Sequence, residues 1–203
     1  MNKLILGVFC AAMLTACSQD DFQEEVSTMQ NDSSLAKQLT TKDAQTKFAK
    51  ILSKAVSKDA NLRSFLKKEA MQQFDNDYDV FYPLSKDKIV YENLTFRDIL
   101  QSYCQNPKEL EEIEQVEPLL NILVPDLSMF WDFSAELWDA EDNEIVVISR
   151  ADENATMYED GDSIGNVPKG EIPGFPCLVI KDSERMKLVN KSSRSNTPEY
   201  VFC

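Results

Sequence analysis

The spacing of apolar residues changes once along this chain, near Pro118, and that change limits the fold more than any other feature. Before it, apolar side chains recur at a helical period. Phe48, Ile51, Leu52, Ala55 and Val56 stand at i, i+3, i+4, i+7 and i+8, which predicts a helix over 43–57 with one apolar face. Asp59 suits the N-cap of a second helix that buries Leu62, Phe65, Leu66, Ala70 and Phe74, and the short gap predicts an antiparallel helical hairpin. Thr95 with Asp98 has the form of a capping box ahead of Phe96, Ile99, Leu100 and Tyr103. Asn106-Pro107-Lys108-Glu109 supplies an N-cap, a proline at N1 and a carboxylate at N3 for a fourth helix that stops near Glu117.

Beyond Pro118 the helical period is lost. The runs 119–124, 144–149 and 176–181 are short, aliphatic and bounded by Pro, Gly or Asp, as strands are. Residues 161–176 read as a turn-rich connection, and 177–189 as a hairpin about Lys181-Asp182-Ser183-Glu184. The expected fold class is α+β: an N-terminal helical hairpin and further helices packed on a small, mostly antiparallel C-terminal sheet. One domain is expected over 43–203, helical through 43–117 and strand-rich through 118–203.

Ahead of that domain, Lys3 precedes an apolar stretch too short to span a bilayer, which ends in Leu14-Thr15-Ala16-Cys17. These residues resemble the signal peptide and lipobox of bacterial lipoproteins. The resemblance implies removal of 1–16 and acylation of Cys17, a firm anchor because each buried CH₂ contributes about 0.8 kcal/mol. Ser18-Gln19-Asp20-Asp21 resembles the acidic surface-export signal of Bacteroidota-type lipoproteins, and Asp162-Ser163-Ile164 the O-glycosylation acceptor of that group, at Ser163. Stretches of the body around Phe48, Phe74 and Pro176 are similar to the same group. Together these likenesses imply a location: the outer membrane, lipid-anchored and facing outward. They imply no activity. Residues 17–42, polar and without apolar period, are expected to be the lipidated cysteine and a tether.

Charge narrows the function. The chain has 35 acidic and 21 basic side chains, a net charge of −14 and no histidine. Nucleic acid is therefore not an expected partner, because phosphates need a basic surface. Imidazole-based catalysis and the common zinc motifs are excluded. Residues 42–75 carry eight basic side chains against four acidic, whereas 109–163 carry seventeen acidic against Arg150 alone. Lys47, Lys50, Lys54 and Lys58 form a stripe on the first helix, expected to face solvent, the acidic half or an acidic partner.

Few constellations carry chemistry. Asp75-Asn76-Asp77-Tyr78-Asp79 opens like a calcium loop but places Val80 where the sharp turn needs Gly and Lys86 where a bidentate Glu belongs, so no metal is expected. Cys104, Cys177 and Cys203 allow at most one intrachain disulfide, Cys104 with Cys177; buried thiols are the default. Phe130-Trp131-Asp132-Phe133, Glu136 and Trp138 form the densest aromatic and carboxylate cluster. Such a cluster most often builds core. Otherwise Trp131, Trp138, Asp132 and Glu136 would form a ligand-binding surface, or Asp132 and Glu136 the carboxylates of a hydrolase. The expected function is a non-enzymatic binding or structural role toward a protein or glycan, with no cofactor and the membrane reached through the lipid. The alternatives are that hydrolase, or a pro-segment-like region of a longer secreted enzyme.

Overall fold

The computed structural model describes residues 38–74, 76–151, 155–168 and 170–195. Cys17, Asp75 and Cys203, with the expected signal peptide and most of the tether, lie outside the described residues. No described helix is long and apolar enough to cross a membrane.

Helix α1 covers Thr41–Lys58 and opens two residues before the apolar period implies. Thr40 is the reason: its hydroxyl accepts from the Asp43 N–H at 3.1 Å, while the Asp43 carboxylate accepts from the Thr40 N–H at 3.3 Å. Phe48, Leu52, Ala55 and Val56 are fully buried, as expected of its apolar face. Asp59 caps α2, Ala60–Ala70, by accepting from the N–H groups of Asn61 and Leu62. Phe74 falls beyond α2 and instead stacks on Phe81, with ring centroids 5.7 Å apart.

The stretch to 117 is less purely helical than its spacing implied. It contains strand β1, Asp79–Phe81, a single turn α3, Tyr82–Ser85, and the ribbon of β2, Ile89–Tyr91, with β3, Leu94–Thr95. Three-residue strands are too short to show a period. The Thr95–Asp98 capping box does open α4, Phe96–Gln101. Helix α5, Glu109–Val116, starts later than Asn106 and Pro107 suggested. There the Asn106 side chain accepts from the Lys108 N–H at 3.0 Å and the Glu109 carboxylate from the Gln105 N–H at 2.6 Å, which closes a turn first. Its end at Glu117 is as expected.

Strands β4 (Leu120–Leu123), β5 (Val146–Ser149), β6 (Ala155–Glu159), β7 (Asp162–Val167) and β8 (Cys177–Asp182) complete a six-stranded sheet of order β1-β4-β8-β5-β6-β7. Every pairing is antiparallel except β5 with β8. The fold class is α+β. Two local expectations are corrected. Residues 155–167 form a hairpin, turned by Asp160 and Gly161 at φ of 44° and 89°, as a two-residue hairpin loop requires. After β8 comes a helix, α6, Glu184–Ser195, in place of a second hairpin strand. Ser183 begins it, its hydroxyl accepting from the Met186 N–H at 3.4 Å.

Residues 177–180 of β8 are buried on both faces. Period-two alternation and register place Leu178 and Ile180 with Ile122 and Val147 on the face that α1 covers. Phe48, Tyr82, Phe96 and Phe65 join in a chain of ring contacts at 5.0 to 5.5 Å within the helical part of the core. The lysine stripe does meet acidic chain. Lys58 pairs with Asp160 at 2.6 Å, Lys50 lies over the Tyr158 ring at 5.7 Å, and the stem of Lys54 crosses Gly161.

Candidate functional site

The second face of the sheet carries the candidate site. Leu123, Ile148 and Val179 lie side by side there by register and form an apolar floor. Above them is a cleft of about 290 Å³, near the lower bound for small-ligand pockets, walled by Pro125 and Leu127 on one side and Ile172 and Pro173 on the other.

The first wall is shaped by local chemistry. The Leu127 N–H donates to Phe133 O at 2.9 Å and the Trp131 N–H to Leu127 O at 2.7 Å, which knots residues 127–133 into a tight loop. Phe133 and Trp138, ring centroids 6.1 Å apart, anchor that loop in the core. Its tip then projects outward, with Met129 87%, Phe130 65% and Trp131 49% exposed. Arg63, only 4% exposed, ties down the next stretch: its guanidinium donates to Ala140 O and Val56 O, both at 2.6 Å, and to Glu141 O at 3.2 Å.

Polar groups mark the ends of the floor. Lys181, two residues beyond Val179, lies 3.6 Å from Asp79 and 3.9 Å from Asp77, and Arg150 follows β5 on the same side. The calcium-loop carboxylates of Asp77 and Asp79 therefore face a lysine, and no described residues cluster as a metal site. Asn121, opposite Lys181 in register, is fully buried with neither amide atom hydrogen-bonded among the described residues. At the other end Asp126 accepts from the hydroxyl and N–H of Ser128, bonds that hold its carboxyl below the usual range.

A separate carboxyl pair, Glu117 and Asp182, lies where β4 begins and β8 ends. Gln45 donates to Glu117 at 3.3 Å and to Asp182, which also pairs with Lys187 at 2.8 Å. Burial and the charge of Asp182 hold the Glu117 carboxyl above its ordinary value.

The residues singled out from sequence are scattered. Trp131 does not line the cleft; it follows Phe130, which does, and packs on Gly174. Trp138 does not present a face to any ligand, because it is 3% exposed and packs on Phe133. Asp132 and Glu136 are exposed, neither walls the cleft, and Glu136 accepts from the Tyr78 hydroxyl at 2.9 Å. The hydrolase alternative thus has no enclosed carboxylate pair at these positions. Ser163 is exposed on β7, one of the two edge strands of the six-stranded sheet. The Cys104–Cys177 disulfide does not form: both thiols are free, and burial pushes them up to about 11 and about 12 respectively. Arg150, Lys181 and Ile172 were not singled out. Only the break of the apolar run at Lys181 hinted at them.

No family model, no curated protein and no solved structure matches this chain.

Proposed function

We propose that this chain is a lipid-anchored cell-envelope protein, held at the outer membrane through Cys17 and facing outward, whose body binds a partner without catalysis through the cleft on the second sheet face. One observation carries the binding role. Phe133 and Trp138 anchor a loop whose tip exposes Met129 and Phe130 to solvent, beside a cleft with an apolar floor. Single exposed apolar residues need no explanation, but Met129, Phe130, Trp131 and Ile172 all belong to the two loops that wall one cleft. Of the protein or glycan expected as partner, a glycan fits less well, since the cleft suits an apolar group better than a sugar ring. With Trp138 in the core, only Trp131 remains as an indole face, and the floor is aliphatic. The address rests on Leu14-Thr15-Ala16-Cys17 and the acidic residues behind it.

Two measurements test this reading. Intact mass of the native protein is expected to show a chain that begins at an acylated Cys17; an unmodified Cys17 in a soluble fraction would remove the anchor. A photoreactive phenylalanine analogue in place of Phe130 is expected to capture a partner in whole cells. The same analogue at Leu188, equally exposed on α6, is expected to capture none. Equal capture at both positions, or none at Phe130, rejects the cleft.

A further inference from the structure

The apolar cleft does not stand alone. Arg150 and Lys181 form a wall that it shares with a second, more open cavity of about 620 Å³, which Thr41, Lys42, Gln45 and Lys187 also line. One compartment is floored by Leu123, Ile148 and Val179; the other sets Lys42, Arg150, Lys181 and Lys187 against Asp182 and Glu184, a basic excess in a chain whose net charge is −14. From this pairing we infer that the joint site takes a single-chain amphiphile with an anionic head, its chain on the apolar floor and its carboxylate, sulfate or phosphate beside Arg150 and Lys181. The inference rests on the binding role proposed above and names the ligand class of the same cleft.

The charges within the two cavities support that orientation. Asp182 and Glu184, which also line the second cavity, are both engaged by Lys187, at 2.8 and 2.9 Å. Asp126 lies at the far end of the floor, three residues past Leu123, and is occupied by Ser128. Lys181 is held only at long range, by Asp79 at 3.6 Å and Asp77 at 3.9 Å. Arg150 has no carboxylate within ion-pairing distance among the described residues, and its planar fork suits a carboxylate or phosphate. Glu171, a further carboxylate on the apolar side, opposes an anion there. An apolar chain laid along the strands places its head at the cationic end, because the strand direction separates Lys181 from Asp126.

The test uses the full chain carrying Cys17→Ser, so that no acyl group or detergent competes, with dodecanoate and dodecanol as probes in titration calorimetry. Dodecanoate is expected to bind one to one and dodecanol at least about tenfold more weakly, the scale of one charge-assisted contact. Arg150→Gln should bring dodecanoate down to the affinity of dodecanol, and Glu171→Gln should tighten it. Phe130→Ser should weaken both probes. Equal affinity for the two probes, or an Arg150→Gln variant that still prefers the anion, overturns the anionic head while leaving the cleft itself to the crosslinking at Phe130. Binding of neither probe, or binding unchanged in Phe130→Ser, overturns the amphiphile.

Discussion

Trp131 and Gly174, each next in sequence to a residue that lines the cleft, touch so closely that a methyl group on Gly174 would lie 2.7 Å from Cζ2 of the indole and 3.1 Å from Cε2. Two loops far apart in sequence are thereby held at a fixed spacing. Gly174→Ala must push the ring aside, and overpacking of this kind costs about 1–3 kcal/mol. A lower melting temperature and a red-shifted tryptophan emission are expected. An unchanged spectrum would show that the two loops do not depend on this contact.

The aromatic cluster should divide sharply under mutation. Trp138→Ala empties a core position and should cost about 3–5 kcal/mol of stability. Phe130→Ala removes a side chain that is mostly in water and should change stability by less than about 0.5 kcal/mol. Denaturant unfolding of the two variants side by side measures the contrast. Comparable losses would mean that Phe130 is covered in solution.

Arg63 satisfies three backbone carbonyls from a buried position, one at the end of α1 and two in the segment after Trp138. Arg63→Met keeps most of the volume and removes every donor, so about 3 kcal/mol should be lost. Arg63→Lys should recover only part, since an ammonium does not reproduce the planar fork. Full recovery by lysine in thermal melts would show that charge matters here and the fork does not.

Glu117 should make stability depend on pH. Its carboxyl is held above the ordinary value of 4.5 by burial, with the charge of Asp182 adding to it. A carboxyl raised by folding binds its proton more tightly in the native state. It therefore supports the fold while protonated, and that support drains away as pH climbs through the native value. Glu117→Gln cannot ionise. The stability of the wild type relative to this variant should be constant below pH 4.5, decline above it and then level off. A difference that stays flat from about pH 4 to about pH 9 would contradict the raised value.

The elements legible in the sequence are those whose signal is local. Thr95 with Asp98, and Asp59 ahead of Leu62, announce caps that form as read, because a cap needs only a side chain and the N–H groups two or three residues on. The run from Cys177 to Ile180 reads as a strand because both its faces are apolar. Strand β1 and the β6–β7 hairpin escaped, one being three residues long and the other weakly apolar, so neither carries a period. Of the aromatic cluster read from sequence, only Phe130 lines the cleft. Its floor comes from β4, β5 and β8, and no spacing rule links Leu123, Ile148 and Val179.

Sequence by itself determined the α+β class, the positions of α1, α2 and α4 and the absence of imidazole, since composition and short-range pattern suffice for each. Tertiary structure alone decided that Trp138 turns inward while Phe130 turns out, that Cys104 and Cys177 stay apart, and that Arg150 and Lys181 stand at one end of an apolar floor. Those outcomes depend on strand register and on which face each strand offers to α1, and register is fixed by pairing between segments distant in sequence.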